Sequence, residues 1–262
     1  TEYYSAKMAH MGIYLIAFAI GLIFGSFLNM LIHRLPLGVS LFDPIGSECP
    51  HCHYQIKWYE NIPVISYLFL KGKCSSCSGQ ISIVYPIVEL ITGVVTVLLY
   101  QHQWFDVDLI LTIVLFYTLI VLSFIDFKYK AVPDYLLIIV LLLTLIVGDW
   151  KNTLIFIGGF VLLELILTFY IQTIKAKITK NKDLENQRAL GEGDMPIAGA
   201  IGGLLGVHLG ISAIFLAAIL ALIPAIYGLI VKKEIETPFI PFLSLGLLIT
   251  LITGFNLFTL FI

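Results

Sequence analysis

Two aspartates and four cysteines are the residues of this chain whose types and spacing point to chemistry. Asp194 stands in Gly191-Glu192-Gly193-Asp194-Met195-Pro196, flanked by glycines at the mouth of an apolar stretch. Asp126 stands in Phe124-Ile125-Asp126-Phe127-Lys128-Tyr129-Lys130-Ala131-Val132-Pro133-Asp134, at the end of another. A carboxylate inside a very apolar protein is costly and marks a candidate functional site. Two such groups brought together share a proton and can act on a water molecule as acid and base. Gly191 and Gly193 remove side chains where a substrate backbone would approach. The competing role for Asp194 is a helix N-cap, which favours acids. Asp134 follows Pro133 at an expected helix start and fits that role better, as a cap or a substrate-side group.

The cysteines form a second constellation. Cys49-Pro50-His51-Cys52 and Cys74-Ser75-Ser76-Cys77 contain all four in the chain, with 21 residues between the pairs. Twin CxxC knuckles at such spacing fit a tetrahedral zinc site of four thiolates. Disulfides are the alternative, and a reducing compartment disfavours them. His51 and His53 are expected to be bystanders. A complete thiolate set leaves no open coordination position, so the expected role is structural, replacing a core in a short loop.

The elements that must position these groups are membrane helices. Of 262 residues, 59% are hydrophobic and only 12% charged, with a mean hydropathy of +0.99; a soluble domain carries about 25% charged residues. Apolar runs of about 20 residues, enough to span a bilayer, recur along the chain. The expected fold is an all-α polytopic membrane protein with about eight spans: Gly12–Ile32, Ile83–Tyr100, Val107–Ile125, Asp134–Val147, Asn152–Ile174, Met195–Leu209, Ile211–Ile230 and Phe239–Phe261. The main rival merges the sixth and seventh into one bent span. The expected division is 1–34 for the first span, 35–82 for a cytoplasmic zinc-binding domain and 83–262 for the helical core. Thr1 to Lys7 is polar, and the expected native start is Met8 or Met11. No small-residue cleavage site follows the first apolar run, so it reads as a retained helix.

Lys and Arg set the orientation. All 15 except Lys7 and Lys151 fall in the loops after the first, third, fifth and seventh spans. Those loops are expected to be cytoplasmic and both termini outside, which puts Asp126 and Asp194 on the cytoplasmic side. The net charge of −2 says nothing about nucleic acid, and there is no basic domain; the expected partner surface is the lipid bilayer, with no nucleic acid.

Several polar residues of the spans have two readings each. Gly25 and Ser26 read as a packing face, with Asn29 bonding across helices. Arg34 reads as a snorkelling anchor or an accessory group. Glu89, about one turn into the second span, is either interfacial or faces a cavity. Glu164 has no assigned role. The polar stretch from Lys175 to Arg188 reads as a flexible loop that lets the following Gly-Glu-Gly-Asp element move. The GxxxG pairs Gly199/Gly203 and Gly202/Gly206 draw their helix against a neighbour, with the helix of Asp126 as the candidate. The seventh and eighth spans, with Pro224 and Pro238, show no chemistry.

In order along the chain stand Gly-Ser-Phe-Leu-Asn with His-Arg-Leu-Pro, the twin CxxC knuckles, Asn61-Ile62-Pro63-Val64-Ile65-Ser66-Tyr67-Leu68, Gly72-Lys73-Cys74, Tyr85-Pro86 with Glu89, Asp126 ahead of Pro133-Asp134, and Gly-Glu-Gly-Asp. This set, from Gly21 to Gly206, resembles the bacterial type IV prepilin peptidases, GxGD membrane aspartic proteases. The resemblance implies cleavage of the leader of type IV prepilins or pseudopilins, just after a glycine and on the cytoplasmic side. It also implies N-methylation of the new amino terminus from S-adenosylmethionine. The family's catalytic aspartates match Asp126 and Asp194, and its cysteine loop matches in full. Arg34 and Glu89 are the candidates for methyl transfer or an accessory role. Two other classes remain, a proton- or cation-coupled transporter and a zinc-bearing membrane scaffold. Carboxylates gathered at helix ends, and no evident inverted repeat, weigh against transport.

Overall fold

A computed structural model of the chain describes residues 2–41, 46–102, 107–179, 190–231 and 237–260. Lys180, Lys182, Arg188, Lys232 and Lys233, which contribute to the orientation, lie outside the described residues, as does most of the stretch expected to be a mobile loop. The chain forms two compact units, Thr1–Ile125 and Asp126–Ile262.

In the first unit the long apolar helix α1 (Glu2–Arg34) runs into a 3-10 turn at Leu35–Leu37, where Pro36 denies the helix a donor. A five-residue helix α2 (Ile65–Phe69) lies in the following segment. Helix α3 (Val84–His102) packs along α1 through glycines. A Cβ on Gly21 would lie 2.7 Å from the Gly93 Cα, and one on Gly25 2.6 Å from the Glu89 Cα. The two backbones can approach this closely only without those side chains. Asn29 Nδ2 donates to the Tyr85 carbonyl at 3.0 Å, the expected bond across helices. Helix α4 (Val107–Tyr129) joins them through a Tyr117–Thr96 hydroxyl hydrogen bond of 2.7 Å, and the unit boundary falls in α4 just before Asp126.

The second unit holds α5 (Asp134–Val147), α6 (Trp150–Phe169), α7 (Ala176–Thr179), α8 (Asp194–Val231) and α9 (Ile240–Thr253). Here the structure corrects several expectations. The glycine face of α8 meets α6, not the helix of Asp126: Cβ atoms on Gly199, Gly202 and Gly210 would run into Ile157 or Phe156, and one on Gly203 into Thr153 and Thr144. The motif announces a close neighbour without naming it. α6 does not end at a loop after Ile174 but passes through a π-turn, Tyr170–Lys175, into α7. α8 breaks at Gly206, not at Gly210, with φ 70° and ψ −174°, a region open essentially to glycine alone. α9 stops at Thr253, where Gly254 turns left-handed and returns its N–H to the Thr250 carbonyl, so it is shorter than Phe239–Phe261.

Helices α1, α3, α4, α6 and α8 are long and apolar enough to cross a membrane, while α5 and α9 are shorter apolar helices. With α8 counted as two segments about Gly206, the described chain has eight apolar helical segments. The chain is an all-α, multi-pass membrane protein.

Candidate functional site

Asp126 occupies the last turn of α4. The helix ends because Lys130 turns left-handed at φ 52° while its N–H bonds the Asp126 carbonyl at 2.9 Å. Ala131 and Val132 then lead to Pro133, whose extended backbone caps α5. The Asp126 side chain is 9% exposed. The backbone N–H of Ile240, the first residue of α9, lies near this carboxylate. First-turn amides have no partner within their own helix, so the start of α9 offers a donor and a positive dipole end. Asp126 Oδ2 is buried and has no hydrogen-bond partner among the described residues. An orphaned buried carboxylate oxygen is a ready acceptor for a water or a substrate group.

Asp194 is the first residue of α8 and is 5% exposed. Its carboxylate turns back, accepting the Gly191 N–H at 3.2 Å, while its own N–H returns to the Gly191 carbonyl at 3.1 Å. This reciprocal pair fixes the turn; the carboxylate does not cap the helix ahead of it. At Gly193 a Cβ would lie 2.9 Å from Val132 Cγ2 and 3.2 Å from Ile240 Cδ1. The missing side chain lets the turn seat against the α4–α5 connection and the start of α9. At Gly191, which is exposed, a Cβ would stand 3.3 Å from Asp194 Oδ2. The turn therefore brings Asp194 to Asp126, and the two carboxylates interact electrostatically. Asp134 is exposed and is the first residue of α5; the cap is Pro133. Glu164 takes a hydrogen bond from Thr168 on its own helix.

Ile240 was not legible as a site residue, because its part is played by a backbone N–H and an aliphatic tip. The available signal was Pro238-Phe239-Ile240-Pro241, which marks a helix start and hence free amides.

The four cysteines meet in the first unit, with their Sγ atoms all within 4.8 Å of one another. Each pair sits in the same small knuckle. Cys49 N–H bonds Tyr54 O and His53 N–H returns to Cys49 O; Cys74 N–H bonds Gly79 O and Ser78 N–H returns to Cys74 O. His53 and Ser78, each four residues after the first cysteine of its pair, both turn left-handed, at φ 56° and 58°. Cys49 and Cys74 are buried. The backbone N–H groups of Cys77 and Ser76 hold the Cys74 thiol down to about 7. The Gly79 N–H favours the Cys77 thiolate, but the neighbouring thiols, Cys52 first, and burial push it up to about 11. Thiols at such range compete for one charge, and a cation resolves the competition, so the cluster could hold a metal ion. The histidines lie outside it: the His51 ring covers Gly79, and His53 stands 3.6 Å from Glu48.

Arg34 and Glu89 tie the cysteine-bearing segment to the helices. Arg34, 8% exposed, donates to the carbonyls of Ser40, Leu41 and Gly46 at 2.9–3.1 Å. Through these bonds Arg34 organises the segment after α1. Glu89 is buried, and its Oε2 accepts the Val64 N–H at 2.7 Å. Ser26 of α1 lies near the same carboxylate. Val64 is the centre of a γ-turn at φ 60°, an uncommon and strained place for a β-branched residue.

Two family models match this chain: the Bacterial Peptidase A24 N-terminal domain over residues 19–103, and the Type IV leader peptidase family over residues 113–226. The first contains Arg34, the four cysteines and Glu89; the second contains both aspartates. Relatives named "Prepilin leader peptidase/N-methyltransferase" are similar over most of the chain. The protein from Vibrio cholerae serotype O1 is 34% identical over 223 residues, 80% of this chain and 85% of that one. Those from Dichelobacter nodosus and Neisseria gonorrhoeae are each 31% identical, with coverages of 92% and 91%, and of 83% and 82%. No solved structure matches. A membrane-helix protein that pairs two buried aspartates, one in a Gly-Glu-Gly-Asp turn, and gathers four cysteines ahead of them thus belongs to the type IV leader peptidase family.

Proposed function

We propose that this chain is a membrane aspartic endopeptidase that cleaves the leader of type IV prepilins or pseudopilins on the cytoplasmic side, and that it methylates the new amino terminus from S-adenosylmethionine. The observation that carries the peptidase reading is the unpartnered Asp126 Oδ2, buried in electrostatic reach of Asp194. Amide hydrolysis needs a base for the attacking water and an acid for the leaving amine. The aspartate pair supplies both from one shared proton. The ionised member takes a proton from water as its oxygen attacks the scissile carbonyl, and the protonated member donates to the carbonyl oxygen. Collapse of the tetrahedral adduct breaks the C–N bond, and the amine leaves with a proton from the pair. The two groups titrate as a unit, so acid and base are not assigned separately. The Gly191 N–H holds the Asp194 carboxylate in orientation for this exchange, and the Ile240 amide lies beside Asp126.

The cysteine cluster takes Zn²⁺ in this reading. Four thiolates about 2.3 Å from a zinc ion define a tetrahedron with edges of about 3.8 Å, and Cys49 Sγ and Cys77 Sγ are 3.8 Å apart. The ion is structural. The chain then divides into a first span at 1–34, a cytoplasmic zinc domain at 35–82 and the peptidase helices at 83–262, with both termini outside. Arg34 and Glu89 act in the methylation half by holding the zinc domain on α1 and α3. No observation favours the transport reading.

Incubating the purified protein in a membrane mimetic with a model prepilin, and weighing the products, tests both halves. Cleavage after a glycine with an added methyl mass on the new terminus is expected. An intact substrate at full enzyme occupancy would reject the peptidase reading.

A further inference from the structure

The segment between α1 and α3 carries an apolar surface that its own packing does not use. Phe69 is 83% and Trp58 82% exposed, and Tyr59, Ile65 and Leu68 are exposed beside them. These residues are gathered, not scattered. Tyr59, Ile62, Ile65 and Phe69 line one cleft of about 310 Å³. Ile62 also lines a second, of about 490 Å³, with Trp58 and Pro63 against Ile23, Phe27 and Met30 of α1. On α1, Ile16, Ile20, Ile23 and Phe27 recur at helical spacing and are all exposed. α1 is apolar enough to cross a membrane, so that stripe faces lipid. The apolar surface therefore continues without a break in kind from the lipid-facing side of α1 to Phe69.

The edge of the surface is basic. The Lys57 ammonium lies 5.8 Å from the Tyr59 ring centroid, and Lys71 and Lys73, both exposed, follow Phe69 closely. The one acid lining the first cleft, Glu60, accepts the Lys57 backbone N–H at 3.0 Å. Aromatic rings bordered by lysines are the composition of a bilayer interface. Lysines so placed attract anionic headgroups and repel a basic peptide.

We propose that this surface is a bilayer-insertion face. Trp58, Tyr59, Ile65, Leu68 and Phe69 lie at the boundary of headgroups and acyl chains, the lysines meet anionic headgroups, and the cysteine centre is thereby held against the membrane surface. The proposal rests on the membrane helices and not on the peptidase reading.

Trp58 is its own probe. The chain has three tryptophans, and Trp104→Phe with Trp150→Phe leaves Trp58 alone. The full chain with these changes goes into nanodiscs of phosphatidylglycerol and phosphatidylcholine. Blue-shifted emission is expected, quenched severalfold more by lipids brominated near the headgroup end of the acyl chain than by deep bromines, and little by acrylamide. Adding Leu68→Glu and Phe69→Glu is expected to reverse the balance of quenchers while metal content per chain stays unchanged. Strong acrylamide quenching with none from bromolipid would overturn the proposal in favour of a water-facing surface. Shielding that appears only with an added prepilin peptide, or only when two chains share a disc, would overturn it in favour of a protein partner or a second copy.

Discussion

The backbone N–H of Ile240 lies near the Asp126 carboxylate, and the Ile240 side chain closes over Gly193, the residue before Asp194. One residue at the start of α9 thus touches both segments that carry the aspartates. Its two contributions separate by substitution. Ile240→Ala keeps the N–H and opens a gap, costing about 2–4 kcal/mol of stability. Ile240→Pro also deletes the amide N–H, and it opposes the αR backbone of Phe239, which the residue before a proline avoids. Prepilin turnover by folded protein is expected to be lower in the proline variant than in the alanine one, since the Asp126 carboxylate then loses a nearby amide dipole.

Asp126→Asn and Asp194→Asn are each expected to insert normally and fail to cleave, since either change removes a titratable member of the pair. The double variant should be little worse than either single, as for groups acting as one unit. Asp134→Asn should cost about 0.5 kcal/mol through the helix dipole and leave substantial turnover. Leader release at a near wild-type rate by abundant Asp194→Asn protein would rule out the two-carboxylate mechanism.

Gly193→Ala forces a methyl against Val132 and Ile240, at a cost of about 1–3 kcal/mol, and pushes the Asp194 turn away from Asp126. Turnover should fall and return in part with Val132→Ala added. Gly158→Ala, inside α6 with nothing within 4 Å of the new Cβ, should leave turnover unchanged and raise the thermal midpoint slightly, since alanine favours a helix interior over glycine by about 1 kcal/mol.

Replacing Cys49 and Cys74 by serine is expected to abolish the binding of about one Zn²⁺ per chain and to open the knuckles to protease. In the intact protein, zinc binding must displace thiol protons, so affinity rises with pH. Cys74 is held down to about 7. Above that pH it is already ionised when metal arrives; below it, one more proton must leave for each metal bound. A chelator competition across pH should therefore show log affinity falling more steeply below pH 7 than above. A single slope through that point would contradict the low-pKa thiol.

Glu89→Ala leaves the Val64 N–H without its acceptor, at a cost of about 1–3 kcal/mol. Limited proteolysis is expected to cut near Val64 sooner in this variant. Val64→Gly, which relieves the left-handed strain, should slow cutting there.

Much of this protein is local and so was legible in the residues themselves. An apolar run long enough to span a bilayer needs no partner to declare itself, and two CxxC knuckles state their ligand chemistry by spacing alone. Asp126 and Asp194 stood out because a carboxylate amid apolar residues demands a reason. What the sequence left open was who meets whom. The α8 glycines announce a close approach, but a missing side chain carries no mark of its partner, which tertiary packing set as Phe156 and Thr153 of α6. Arg34 in the sequence is a lone cation at a helix end, with no sign of the three loop carbonyls that converge on it. The Ile240 amide was hidden for the same reason: every residue but proline has one, and only the folded chain shows which of them faces a carboxylate.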